Sequence, residues 1–548
     1  MEMIALLPIF AAYLVINRPF LNLTCHQDAG WHSYWAAFRD KGVTLHQQLN
    51  ILMGCARIGS KFLFYLWFTL LGKGDPERKA VRMFLIINIL ASIIIYQSIR
   101  LLTPGTTHIA LSVCAAYLYI TSNPLLGIHY ETSERVQGFF NAVIFFSVCN
   151  YLMAPSGVWI FVIVFTMLLT AFLFKITQLI EYFALWLALA LFGFDLSFFM
   201  LSTTGAVAAG AAFALLLWKL ELLEKENLGI LGYISSSYEH KKNAPAISLD
   251  EKIQKLESTD LHPGFIRLTK KLLVSGEKLL PAFLFRILAG LGEYILKTIQ
   301  KLMPFGGQIF SSSRAFIFLI ICGALLGPHY PRMETVSGIW LLGVLSGILG
   351  QGRFLPFHFI PALFPGAILA GLGLYKTLPL MTEGRPSATL LIFIIILLLD
   401  LKYLWTLLMA GDTLPLDLRL WPRNLHPVME KNLAAREAAV IIKKSTREDD
   451  YILAWGSVPQ LYVLADRRSP INWLNTNPTL MDGVLPGWRE ILYSRMKETK
   501  PVCIVQFDED LDLNKIKNAT GLDYQLETEF WKDNHKIFRL QEFGETGS

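Results

Sequence analysis

Charge is scarce in this chain. Of its 548 residues 17% are charged and 53% are hydrophobic, and the mean hydropathy is +0.45. A soluble protein of this length divides into several domains with charged surfaces, so the balance excludes that class. None of the six cysteines (Cys25, Cys55, Cys114, Cys149, Cys322 and Cys503) forms a C-x-x-C pair, which argues against a structural zinc framework. There is no G-x-G-x-x-G and no P-loop, so no nucleotide site is signalled. No nucleic-acid-binding pattern occurs either. The net charge of +6 is carried mostly in loops and beside apolar runs, where lipid headgroups or phosphates are the natural partners. Met1-Glu2-Met3 lacks the basic start of a cleaved signal peptide, so the first apolar run is expected to persist as a helix.

What is present is membrane. A first run covers about Met3 to Asn17. Further spans are expected at Val81–Leu102, Thr107–Tyr119, Val136–Met153, Val158–Phe174, Leu179–Phe199, Thr203–Trp218, Ala315–Leu326, Val336–Leu349, Ile360–Leu374 and Thr389–Met409, about eleven in all. The first connecting loop, residues 18–79, carries helical spacing over Trp31–Asp40 and Leu45–Leu71. Its aromatic stretch Lys61–Phe68 suits the membrane interface. An amphipathic insertion occupies residues 219–313, with Leu279–Met303 read either as a helix lying on the membrane or as one packing on protein. After about Gly411 the composition turns globular. Helices are expected at Glu430–Ser445 and Pro486–Lys497, and strands at Tyr451–Trp455, Val502–Phe507, Tyr524–Trp531 and Lys536–Leu540, a small α/β domain over 411–548. The expected fold class is therefore a polytopic α-helical membrane protein, residues 1–410, with a C-terminal α/β domain.

The stretch after the first run, Cys25-His26-Gln27-Asp28-Ala29-Gly30-Trp31-His32-Ser33-Tyr34-Trp35-Ala36, holds one acid among aromatics, small residues and histidines. Its Asp28, Gly30, Tyr34 and Ala36 make an Asp-x-Gly-x-x-x-Tyr-x-Ala pattern. That pattern resembles the first extracytoplasmic loop of the GT-C glycosyltransferases, most closely the bacterial branch of O-mannosyltransferase-like enzymes and the aminoarabinose transferase of lipid A. Lys61–Gly72 followed by Ala80-Val81-Arg82 resembles that family's aromatic interfacial helix and Arg-bearing second span. Gly352–Pro365, containing Arg353 and His358, resembles its R-x-x-x-H-Y segment with Phe359 in the tyrosine position. Tyr451–Gly456 with Leu461-Tyr462 resembles the start of its tail domain. Two features depart from the family: the 219–313 insertion, and the single acid at Asp28 where many members have a pair.

The resemblance implies a GT-C fold and transfer of a sugar from a polyprenyl-phosphate donor to a hydroxyl on a lipid, glycan or protein acceptor, with inversion. Such a reaction needs a base for the hydroxyl proton and cations for the departing phosphate. Asp28 is the candidate base; the alternative is a solvated acid capping a helix. Glu131, Glu134, Tyr34 and His358 are candidates to bind sugar or acceptor, Glu134 alternatively capping its helix or pairing with Arg135. Arg353, Lys61 and Arg57 are candidates for phosphate, or else snorkel to ordinary headgroups. No cofactor is required. His26, Asp28 and His32 could hold a divalent metal, a reading not favoured because cationic side chains can replace it. Asp195, Asp400 and Lys402, in or near apolar runs, stay unassigned. The basic residues of the first loop would place it in the cytoplasm by the positive-inside rule. The resemblance places it, with the tail, on the outer face of a bacterial inner membrane. A lipid-linked-sugar flippase and a polysaccharide polymerase or ligase are the rivals. The absence of an internal repeat speaks against the first, and the α/β tail against the second.

Overall fold

The computed structural model describes residues 2–18, 27–43, 58–71, 76–104, 107–122, 133–174, 178–219, 313–326, 330–351, 359–382, 394, 398, 426–471, 474–477, 481, 487–508, 511–531 and 534–541. The apolar runs are helices: α1 (Leu7–Asn17), α4 (Pro76–Leu102), α5 (Thr107–Thr121), α6 (Ser133–Met153), α7 (Gly157–Phe174), α8 (Leu179–Gly193), α9 (Leu196–Lys219), α10 (Arg314–Leu325), α11 (Pro331–Gln351) and α12 (Ile360–Thr382). The first inter-span segment supplies α2 (Gln27–Phe38) and α3 (Ile58–Leu71). Among the described residues, six helices are long and apolar enough to cross a membrane, and five more are shorter and apolar. Thr389–Met409 lies outside the described residues except Ile394 and Leu398, and so do Asp400, Lys402 and residues 220–312 of the insertion.

One difference from the expected boundaries has a clear cause. The run Leu179–Phe199 breaks at Gly193, and α9 starts at Leu196 instead of Thr203. Asp195 causes the break: its carboxylate accepts from the Phe198 amide at 2.6 Å and from the Ser197 hydroxyl at 2.7 Å, capping α9. This acid is a helix cap.

Contacts fix which helix ends lie together. The end of α1 meets the end of α5 through Asn17 Nδ2 and Ser122 Oγ at 2.9 Å. The start of α4 (Ala80, Met83, Phe84), the start of α6 (Val136) and the end of α7 (Phe174) share one apolar cluster with Phe64 and Phe68 of α3. The start of α8 joins them through a Gln137–Glu181 hydrogen bond. Helix α9 runs alongside α7 in the same direction, from the Gly157–Leu201 contact to the Phe172–Phe213 stack. Helix α12 starts at this end as well, since Phe364 packs on Tyr117 and Gly371 on Val113. Helix α10 runs parallel to α12, with Gly366 against Phe316 and Gly323 against Leu369. At the other end, Arg332 of α11 donates to the Leu152 carbonyl of α6 at 3.2 Å, and Lys376 of α12 pairs with Glu334 of α11 at 3.0 Å. Every helix from α4 on is thereby oriented. The helix ends that flank the first loop, residues 123–132, the insertion and residues 352–358 all fall at one end, called here the near end.

The tail is a four-stranded sheet: β1 (Ile452–Trp455), β2 (Cys503–Gln506), β3 (Tyr524–Phe530) and β4 (His535–Leu540) in the order β1-β2-β4-β3. β1 and β2 are parallel and the other pairs antiparallel. All four residues of β1 are buried, as an apolar strand covered on both faces requires. Helices α13 (His426–Ser445) and α14 (Gln460–Ala465) contribute to the core on one face. Helices α15 (Trp488–Thr499) and α16 (Leu513–Thr520) contribute to the core on the other. The short helices α14 and α16 are additional to those the sequence pattern leads one to expect.

Candidate active site

Helix α2 is held between the bundle and the tail. A helix of 12 residues is marginal on its own in water, so its stability comes from what it buries. Trp31, Tyr34 and Phe38, at i, i+3 and i+7, enter the core formed with Ala434, Ala438, Leu461 and Tyr462. Fully burying such side chains contributes about 1.5–3 kcal/mol each. The Tyr34 ring lies 4.7 Å from Phe38 and 5.9 Å, edge-on, from Tyr462. Its hydroxyl accepts from the Ser469 amide at 2.8 Å. Burial pushes the Tyr34 hydroxyl above its ordinary pKa and that of Tyr462 up to about 12, so both remain neutral phenols. Gly30 is pressed against the chain at Pro459–Gln460, where an added Cβ would lie 2.2 Å from the Gln460 nitrogen. Past the helix, Lys41 pairs with Asp466 at 3.2 Å.

The opposite side of α2 meets the bundle. Trp35 stacks on Tyr65 at 4.5 Å and meets Phe62 edge-on, Arg39 bonds the Tyr65 hydroxyl, and Ala36 and Ala37 pack on the Phe64–Phe68–Val136 cluster. The family-like spacing of Gly30, Tyr34 and Ala36 thus has a mechanical reading. Gly30 and Tyr34 fit the tail, and Ala36 fits the bundle. Sequence reading assigns Tyr34 to substrate; in the structure the residue is 4% exposed and its oxygen accepts from the tail backbone.

Asp28 occupies the first turn of α2, where the helix begins four residues before the expected Trp31. His32 lies one turn further on. Glu134 occupies the first turn of α6, two positions before Val136 of the shared cluster. Lys61 is 4% exposed on the α3 stripe Lys61–Phe64–Phe68 that faces α4 and α6. The structure therefore brings the helix turns carrying Asp28 and Glu134, and the buried Lys61, to one end of the bundle beneath the tail. Glu131, Arg57, Arg353, His358 and His26 lie outside the described residues. Among the described residues no three His, Cys, Asp or Glu groups form a cluster that could hold a metal ion.

Two near-end features were not singled out from sequence. Lys79, at the start of α4, is buried with Nζ 4.5 Å from the Phe68 ring centroid; it had been read as part of a polar loop. Glu181 is 3% exposed and bonded by Gln137, beside a Tyr182–Asn141 hydrogen bond of 3.0 Å. A single Glu inside an apolar run was the available signal. A small cavity among α4, α5, α6 and α12 is lined by Asn88, Tyr117, Thr121, Gly138, Ile360 and Phe364.

A bundle of alternating membrane helices, a first inter-span segment folded into two helices at one end, and an α/β tail seated on that end define a GT-C fold. The comparisons agree on that point. The chain resembles ArnT from Cupriavidus metallidurans in its apo state, with a TM-score of 0.54 and 12% identity over 98% of both chains. It resembles the same protein bound to undecaprenyl phosphate with a TM-score of 0.52 and 12% identity over 99% of both chains. No protein-family model and no curated protein matches the sequence. At 12% identity the likeness establishes the fold.

Proposed function

We infer that this chain is a membrane glycosyltransferase of the O-mannosyltransferase-like and aminoarabinose-transferase-like branch. It takes a sugar from a polyprenyl-phosphate donor and passes it to a hydroxyl of a lipid, glycan or protein acceptor. The observation that carries this reading is the gathering at one bundle end of the Asp28 turn, the Glu134 turn and the buried Lys61. The similar ArnT structure, bound to undecaprenyl phosphate, supports a polyprenyl-phosphate partner.

In this reading the acceptor oxygen attacks the anomeric carbon while the bond from that carbon to the phosphate oxygen breaks. Asp28 takes the hydroxyl proton, and the electron pair leaves with polyprenyl phosphate. Lys61, with Arg57 and Arg353, stabilises the departing phosphate. Glu134, Glu131 and His358 hold sugar or acceptor hydroxyls. A lipid-tailed donor reaches such a site from the bilayer, which suits a position where helix ends meet an interfacial helix. The site and tail face the outer side of a bacterial inner membrane.

The test is Asp28→Asn in reconstituted vesicles supplied with radiolabelled polyprenyl-phosphate sugars and detergent-solubilised acceptor lipids. Loss of transfer by at least a hundredfold, with donor still bound, is expected. Transfer at the wild-type rate overturns the catalytic assignment. Movement of the labelled lipid across the bilayer without transfer replaces it with a flippase.

A further inference from the structure

The contacts of α2 show which edge of the tail sheet lies beside Asp28. Gly30 abuts Pro459–Gln460, directly after the loop that leaves the carboxyl end of β1, while Lys41 reaches Asp466 at the far end of α14. Helices α2 and α14 therefore run in the same direction. The first turn of α2 lies at the carboxyl edge of the parallel pair β1–β2. In open α/β sheets that edge is where ligands bind, because side chains from the loops converge there without interrupting a strand.

This edge carries a built polar crevice. Asp508 follows β2; one carboxylate oxygen is paired with Lys431 of α13 and the other accepts from Asn477 Nδ2 at 3.1 Å. Gly456, at φ +130°, leaves β1 so close that an added Cβ would sit 3.0 Å from the Asp508 carboxylate. Asn475, fully buried, donates to Ser457 Oγ at 3.1 Å. Gln460, 1% exposed, donates to Asn432 Oδ1, and its Oε1 accepts from no group among the described residues. A buried amide oxygen without a donor costs about 1–3 kcal/mol, and this one belongs to the residue that abuts Gly30 of α2.

We propose that this crevice binds a neutral, hydroxyl-rich saccharide, the glycan portion of the acceptor, and presents it to the Asp28 turn. The charge balance selects that ligand class. Among the described residues, Lys431 and Asp508 neutralise each other, Glu430 and the half-buried His535 stand close to that pair, and the other groups are amides and a hydroxyl, which both donate and accept as sugar hydroxyls do. An anionic headgroup would meet the carboxylates of Asp508 and Glu430 and find Lys431 already engaged. The subsite deepens the glycosyltransferase reading and rests on it for the word acceptor, but binding itself requires no transfer.

The experiment uses the full chain in lipid nanodiscs, free of sugar detergents, with saturation-transfer NMR of methyl α-mannoside, methyl β-glucoside and methyl N-acetyl-β-glucosaminide. Millimolar binding is expected for at least one glycoside, with affinity about tenfold lower in Asp508→Asn and lower by a smaller factor in Ser457→Ala, which leaves the ion pair intact. Inorganic phosphate should not compete. Absence of binding by all three glycosides, unchanged affinity in Ser457→Ala and Asp508→Asn, or displacement by phosphate would each overturn the proposal. Glycoside binding without any sugar transfer would remove the catalytic reading and leave the crevice standing.

Discussion

The Tyr34 hydroxyl accepts a hydrogen bond from the Ser469 amide at 2.8 Å, tying the helix that carries Asp28 to a residue 435 positions later. The bond is buried, and Tyr34 stays protonated because burial raises its pKa. Tyr34→Phe keeps the ring in its core and removes the acceptor, leaving the Ser469 amide unsatisfied at a cost of about 1–3 kcal/mol. Thermal unfolding of the purified protein should show that loss. Sugar transfer should fall through a lower kcat with KM for donor little changed, because the helix loosens and no substrate contact is lost. A raised donor KM at unchanged stability would place Tyr34 on the substrate instead.

Gly30→Ala tests the same clamp sterically. The new methyl carbon would fall 2.2 Å from the Gln460 nitrogen and 2.4 Å from its Cα, both backbone atoms that cannot rotate away. Helix α2 must then shift outward by an ångström or more, and a displacement of about 1 Å can reduce turnover on the order of a hundredfold. We expect a transfer loss of that order, with helix content by circular dichroism unchanged. Wild-type turnover in Gly30→Ala would show that the tail does not position α2.

These two residues also show what a sequence can and cannot disclose. The spacing of Asp28, Gly30, Tyr34 and Ala36 was visible, and so were the apolar runs and the alternation of strand and helix in the tail. The partners of Gly30 and Tyr34 were not, because a docking contact and a substrate contact leave the same small or aromatic residue in the chain. Asp195 stood in a continuous apolar stretch, so hydropathy alone carried the helix past it; only its bonds to Ser197 and Phe198 reveal a cap. Lys376 falls just past the expected span Ile360–Leu374, yet α12 continues to Thr382 and buries it.

His535, at the start of β4, offers a pH test of the tail. Its ring packs between Phe507 and Phe530 at 5.2 and 5.6 Å. Partial burial, followed by the positive charge of Lys431, holds its pKa below the ordinary 6.5. The unfolded chain then binds a proton that the folded chain refuses, so this residue's contribution is present above about pH 6.5 and is lost as pH falls through the lowered folded value. The tail should unfold at lower temperature as pH drops from 7 to 5, and His535→Phe should flatten that slope. An equal slope in His535→Phe would assign the acid sensitivity to other groups.

The far end of the bundle supplies the control for all of these variants. Lys376 Nζ lies 3.0 Å from Glu334 Oε1 and donates to the Gly323 carbonyl at 2.7 Å, joining α10, α11 and α12 away from the Asp28 turn. Its side chain is only 2% exposed and that of Glu334 12%, so removing one charge strands the other in a low-dielectric interior. Breaking such a pair costs about 3–5 kcal/mol, whereas replacing both partners with apolar side chains is often neutral. Glu334→Leu should therefore lower the unfolding temperature sharply, and Glu334→Leu with Lys376→Met should restore most of it. Molecules that remain folded in either variant should transfer sugar at the wild-type rate, since the pair sits at the end opposite α2. A selective loss of turnover in the stable double variant would mean that the far end is coupled to the site, and that stability losses at Tyr34 or Gly30 cannot be separated from catalysis by position alone.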